Sequence, residues 1–337
     1  MIKKLLPWMI ILEIVGFAFL YWNVKWTEEQ EASLFYVPNE GDGTISVVNP
    51  IKEETINTIP LGTKQASHGI AFTPDGKKLF TGTGFEGKTL IVVNTETKGA
   101  EKKIKFKDGV HGVDISNNGE YLYVTLMNNL GTVEGTLVVF KIDTMEKLAE
   151  VKTGGGPAHI AVKPDGSQVW IANENGNTVA VLDAKENKII KTIDVGEVPN
   201  EVALSPDGKF AFVANVESDL VTVIDTNQME DVTSIPVGDA PHGVTVSPNG
   251  REAWFANNKS NDISIIDTEN FLIKTSVSTG SYTNHVAFSK DGKWAYATNR
   301  DSNDVIKINT DTKKVEGRIP VGSSPHEITL EDFYSES

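Results

Sequence analysis

A residue pattern returns along this chain at intervals of 43, 47, 42, 42, 42 and 42, marked by His68, His111, Ala158, Asn200, His242, Asn284 and His326. The clearest copy begins at Asp239. His242 to Val246 alternates large and small up to Asn249-Gly250, Ala253 to Asn257 returns, Ile263 to Asp267 is a third run rich in β-branched residues, and Lys274 to Val277 is a fourth. The easy access of Asn-Gly to positive φ predicts a two-residue hairpin turn. Four strands at a fixed period predict a propeller blade, and self-similarity of this kind outranks any local reading.

The turn dipeptides keep step: Asp75-Gly76, Asn118-Gly119, Asp165-Gly166, Asp207-Gly208, Asn249-Gly250 and Asp291-Gly292. Six turns serve seven marks. After His326 only Glu327 to Leu330 remain to form a strand, whereas Phe35 to Asn39, Ile45 to Asn49 and Thr55 to Ile59 supply a second, third and fourth strand with no first. The expectation is an all-β, seven-bladed β-propeller over residues 35–330 whose two ends share one blade, leaving no long sheet edge exposed. Repeat architectures run as one domain, so the 337 residues are not to be split further. Residues 27–34 then form a short linker and 331–337 a tail.

The second strands read Tyr36-Val37-Pro38-Asn39, Trp170-Ile171-Ala172-Asn173, Phe212-Val213-Ala214-Asn215, Trp254-Phe255-Ala256-Asn257 and Tyr296-Ala297-Thr298-Asn299. They resemble the YVTN repeat that names the YVTN β-propellers, and third strands such as Val223-Ile224-Asp225-Thr226 match it too. The resemblance implies the fold. It leaves function open, because that family and its relatives include surface-layer proteins, lactonase-like enzymes and domains that hold haem d1 or copper. The lactonase-like relatives depend on acidic and amide residues at the channel mouth, where only Glu201, Glu327, Asn200 and Asn284 are available here.

The net charge is -15; the first 26 residues hold three of the 31 basic and one of the 46 acidic side chains, so the remainder carries 28 against 45, or -17. Nucleic acid is not an expected partner of so acidic a chain. The absence of cysteine excludes covalent haem c, thiolate ligation and a lipoprotein anchor. No Gly-x-Ser-x-Gly, His-Glu-x-x-His or phosphate-binding glycine loop occurs. The loop at Asn39 to Thr44 lacks the twelfth-position Glu of a calcium loop.

Lys3 and Lys4 precede an 18-residue apolar run from Leu5 to Trp22, with Trp22, Lys25 and Trp26 at interface-like positions. Residues 1–26 are therefore expected to be a transmembrane anchor helix, with the propeller outside the cytoplasm. The competing reading is a signal peptide cut after Ala18 of Gly16-Phe17-Ala18. Glu13 within the run suits either a marginal anchor or a contact to another membrane subunit. A protein partner is also expected at the longer segment from Asn128 to Thr136, which accounts for the interval of 47.

All six histidines stand at the start of a first strand, the strand that lines a propeller's central channel: His68, His111, His159, His242, His285 and His326. Four lie at the mark. His159 and His285 lie one residue later, where Glu201 and Glu327 also fall, so strand alternation predicts that they face away from the other four. The blades of His326, His68 and His111 are consecutive in a closed ring. This trio is expected at the rim of the channel mouth, binding copper, zinc or iron with His242 and Glu327 as supplements. A haem-like cofactor with axial and distal imidazoles is the variant, and the alternative functions are a metal-free protein-interaction scaffold and a d1-haem-type or lactonase-like enzyme. The Asn series at Asn39, Asn173, Asn215, Asn257 and Asn299 is expected to be structural, capping loops.

Overall fold

The computed structural model describes residues 34–63, 68–127 and 134–330. They form seven four-stranded antiparallel sheets, each meandering outward from the axis. The organising unit consists of Pro241–Val246, Glu252–Asn257, Asp262–Asp267 and Ile273–Ser278, within a residue or two of the expected bounds. The two ends of the propeller meet as expected. Leu330 pairs with Phe35 and Thr329 with Tyr36, and the His326 amide donates to the Pro38 carbonyl at 3.0 Å. Residues 1–33, with the expected anchor and most of the linker, and 331–337 lie outside the described residues, as do 128–133 of the inserted segment. Among the described residues no helix is long and apolar enough to cross a membrane.

The blades hold together by burying the alternate residues of their two central strands against the neighbouring blade. One such layer joins Phe212, Val221 and Val223 to Val244, Phe255 and Ile266. Each fully buried aliphatic or phenyl side chain contributes roughly 1.5–3 kcal/mol. The largest fully buried side chains include Trp170 and Trp254. The Trp254 indole N–H donates to Glu252 at 3.0 Å, and Lys313 from the next blade lies 4.9 Å from its ring while pairing with the same Glu252. Trp254→Ala is expected to destabilise the fold by about 3–5 kcal/mol, read from the denaturant midpoint. A loss below about 1 kcal/mol would mean that the inter-blade layer is not what holds the ring.

The Asn series is structural, as expected, but its partners lie mostly on the third strand. Asn39 donates to Thr44 and Ser46 at 3.0 and 2.9 Å, Asn215 to Thr222 at 3.0 Å and Asn257 to Ser264 at 2.9 Å. The turn after the first strand differs from expectation. Five residues, Ser247 to Arg251, separate the two strands, and only Gly250 takes a positive φ, +71°. Asn249 instead spends its side-chain oxygen on the Ser247 hydroxyl at 2.8 Å and the Arg251 amide at 3.0 Å. The longer turn follows because those local bonds hold Asn249 at negative φ, whereas a two-residue type I′ turn needs both central residues at positive φ.

Candidate metal centre

The first strands surround the axis, and at the register mark their pairing slips. Val110 faces Leu126 and Val113 faces Val124, so His111 and Gly112 together oppose Thr125. The same two-against-one bulge places Ala158 and His159 opposite Ala172, and Asn284 and His285 opposite Thr298. It recurs at Asn200 and at His242. A bulge re-aims the side chains it carries. The expected alternation therefore fails: His159 and His285 turn to the axis along with the other four.

All six imidazoles pack into one cluster. Ring centroids lie 4.2 Å apart for His68 and His326, 4.5 Å for His68 and His111, and 4.9 Å for His111 and His159. His285 joins them at 5.2 Å from His159, 5.1 Å from His326 and 5.0 Å from His242. The cluster is also deeper than a rim, since His111, His159, His285 and His326 are buried and only His68 and His242 are partly exposed. Its depth follows from the bulges, which at His111, Ala158, Asn200, His242 and Asn284 pull the first residues of the inner strand toward the axis. Room is made by glycine: a Cβ on Gly243 would lie 3.0 Å from Nδ1 of His285 and 2.3 Å from the Asn284 carbonyl oxygen.

Two carboxylates reach into the cluster from other blades. Glu327 lies 3.1 Å from Nδ1 of His159 and accepts the Gly69 amide at 2.7 Å. Glu201 lies 3.2 Å from Nδ1 of His285 and accepts the Val244 amide at 2.5 Å. Nε2 of His159, Nε2 of His285 and Nδ1 of both His242 and His326 are buried with no partner, as are both amide atoms of Asn284. At the edge, Asn200 donates to Glu174 at 2.6 Å, and Arg300 pairs with Glu40 at 3.0 Å. Two sets have ligand atoms all within 4.8 Å of one another: His242, His285 and His326, and His159, His285 and Glu327. The expected neighbours His68, His111 and His326 do pack in succession, but the sets at ligand spacing differ: His242, His285 and His326 come from three consecutive blades on the other side of His326, and His159 meets His285 and Glu327 from across the channel.

Burial, and then the charge of His159, lowers His68 to about 3. Burial, with neighbouring imidazoles, holds His111, His242 and His326 well below the usual range. For His159 burial also opposes the charge, but Glu327 outweighs it and the result is raised to about 9. Glu327 is correspondingly brought down to about 2, burial opposing and His159 prevailing.

An imidazole kept neutral in the fold contributes stability above about 6.5 that is lost as pH falls below that value. His159 acts in the opposite sense, its contribution complete below about 6.5 and fading as pH rises through about 9. The contribution of Glu327 is present above the usual Glu value near 4.3 and disappears only toward pH 2. The neutral group is the larger. The metal-free protein is therefore expected to lose stability from pH 7 to pH 5. Urea midpoints across that range measure it, and a flat profile would contradict the assignment.

With this geometry established, comparison with known proteins places the chain. A family model described as YNCE-like beta-propeller matches residues 16–334. The chain belongs to the YNCE-like β-propeller family. The YVTN-type resemblance thus holds at the level of family and fold. Two uncharacterised Staphylococcus epidermidis proteins are 26% identical over 188 residues, covering 52% of this chain and 52% of each relative. The chain spans about half the length of these curated relatives. Among solved structures, Kuenenia stuttgartiensis hydrazine synthase superposes with a TM-score of 0.75 at 21% identity, covering 82% of this chain and 92% of that one. A functionally unknown protein from Desulfotomaculum acetoxidans gives 0.75 at 16% identity, covering 88% and 98%. At such identities these two show a shared fold alone.

Proposed function

We propose that this chain is a membrane-anchored, extracytoplasmic binding propeller that holds one transition metal ion in the imidazole cluster on its axis. The observation that carries the reading is that His242, His285 and His326 each bury a ring nitrogen with no protein partner, and that each can offer a ring nitrogen within 4.8 Å of those of the other two. Leaving a buried polar atom unsatisfied costs about 1–3 kcal/mol, and a shared ion offsets several such costs at once. Zinc or copper bound at about 2.0–2.1 Å from nitrogen suits three imidazoles with one position left for water or another small ligand. A macrocycle fits less well, because it would have to part rings whose centroids are 4.2 to 5.4 Å apart.

Thermal melts with added Zn²⁺ or Cu²⁺ test the reading. Binding to the native state alone adds about 2.7 kcal/mol when the ion is present at a hundred times its Kd. The melting temperature is expected to rise and to fall again with a chelator. No shift with either ion would sink the metal reading. The Lys-flanked apolar run supports the location, and sequencing the N-terminus of membrane-extracted protein checks it. A start at Phe19 would establish cleavage and a soluble product in place of the anchor.

A further inference from the structure

We infer that the end of the propeller opposite the imidazole cluster is a lipid-contacting face, so that the channel mouth opens away from the membrane. This rests on the anchor in the reading above and needs no metal. Strand pairing fixes the direction. Phe35 faces Leu330 and Val48, whereas Asn39 bridges Pro325 beside His326, so the propeller begins at the end of its blade farthest from the histidines. Seven residues, 27–33, join Trp26 at the close of the anchor to Leu34, and they span at most about 25 Å. Presenting the mouth to the bilayer would move the attachment point away by a strand length, about 20 Å, and by the loops as well, leaving the linker fully stretched.

A second, independent observation lies on the outer strands. In every blade the pairing of the third and fourth strands slips close to the turn that joins them, and the extra residue of the fourth strand is exposed. Four blades place a large aliphatic side chain there: Ile56, Leu148, Ile190 and Val232, 39 to 48% exposed. The other three carry Glu101, Lys274 and Glu316. The blade of Lys274 adds Leu272 and Ile273 just before it, Leu272 being 64% exposed, and Ile51 is exposed in the corresponding turn of the first blade. Among the described residues, every exposed large aliphatic side chain therefore lies toward this end, and none at the mouth. Spread over five blades, they line no single groove that a peptide could fill. They do share one level, which a flat bilayer meets all at once, and interfacial apolar faces settle about 5–10 Å into the headgroup boundary.

Because the chain has no cysteine, a single introduced thiol reports position cleanly. The test reconstitutes the full chain, as Gln228→Cys and separately as Glu217→Cys, into vesicles of phosphatidylethanolamine and phosphatidylglycerol with a nitroxide quencher on the headgroups, each thiol bearing a fluorophore. Both residues are exposed and belong to one blade, Gln228 in the turn toward the lipid and Glu217 in a loop at the mouth. The label at 228 is expected to lose most of its emission and the label at 217 to keep it. Adding Ile190→Asp, Val232→Asp and Leu272→Asp is expected to restore much of the emission at 228, because a carboxylate resists leaving water. Quenching at 217 alone, or equal or no quenching at the two positions, would overturn the inference. Quenching at 228 that the three aspartates leave untouched would overturn the lipid contact, since the linker would then be sufficient to set the orientation. A thiol at 228 that is unquenched in vesicles but shielded from a bulky maleimide in native membranes would give the rim to a protein partner instead. Protein that fails to float with the vesicles would remove the anchor, and the inference with it.

Discussion

Deletion of residues 326–337 is expected to lower the melting temperature by at least about 10 °C. Among the described residues, the deleted stretch holds the first strand of the blade begun by Phe35. Without it the backbone of Phe35 and Tyr36 loses its inner partner, and Phe35, Val37 and Val48 lose Ile328, with which they pack beside Tyr296, Val305 and Ile319. Removing a buried isoleucine side chain alone costs about 2–5 kcal/mol. The lost ladder bonds and the opened ring add to it, and 1 kcal/mol corresponds to about 2–4 °C for a large domain. A truncated chain that melts with the parent would show that the ring is closed elsewhere.

The second large effect concerns the site. A variant combining His242→Ala, His285→Gln and His326→Ala is expected to lose Zn²⁺ affinity by more than about a thousandfold, since loss of a single outer partner already costs about 10–100-fold. Gln at 285 keeps an amide donor for Glu201, so that the carboxylate is not left alone in the interior. The circular dichroism spectrum and cooperative melt should persist, because these side chains lie on the axis and outside the apolar layers between blades. A variant that binds Zn²⁺ like the parent would refute the assignment of these three residues.

Much of the fold was legible in the sequence because a propeller writes its period into the chain. The spacing of the marks fixes the blade number, and the missing seventh turn identifies the shared blade. The candidate site was legible by residue but not by orientation. Reading the first strands as regular sends His159 and His285 away from the axis, and only the bulges, with two residues opposite one, reverse that. A glycine follows the mark only in His68-Gly69, His111-Gly112 and His242-Gly243, where a Cβ would strike the next blade within 2.6 Å, so it does not flag the bulges that carry His159 and His285. The carboxylate partners were harder to see, because His159 with Glu327 and His285 with Glu201 are joined between blades that are not neighbours in the ring. Both pairs do occupy the same phase of the repeat, and that phase is the signal that could have found them.

The central claim is that a metal resides on the axis, and elemental analysis of the protein isolated from its native source, without added metal, tests it most directly. The account predicts about one zinc or copper ion per chain, removed by a chelator and restored by titration. Protein that carries no transition metal as isolated and takes up neither Zn²⁺ nor Cu²⁺ afterwards would contradict it.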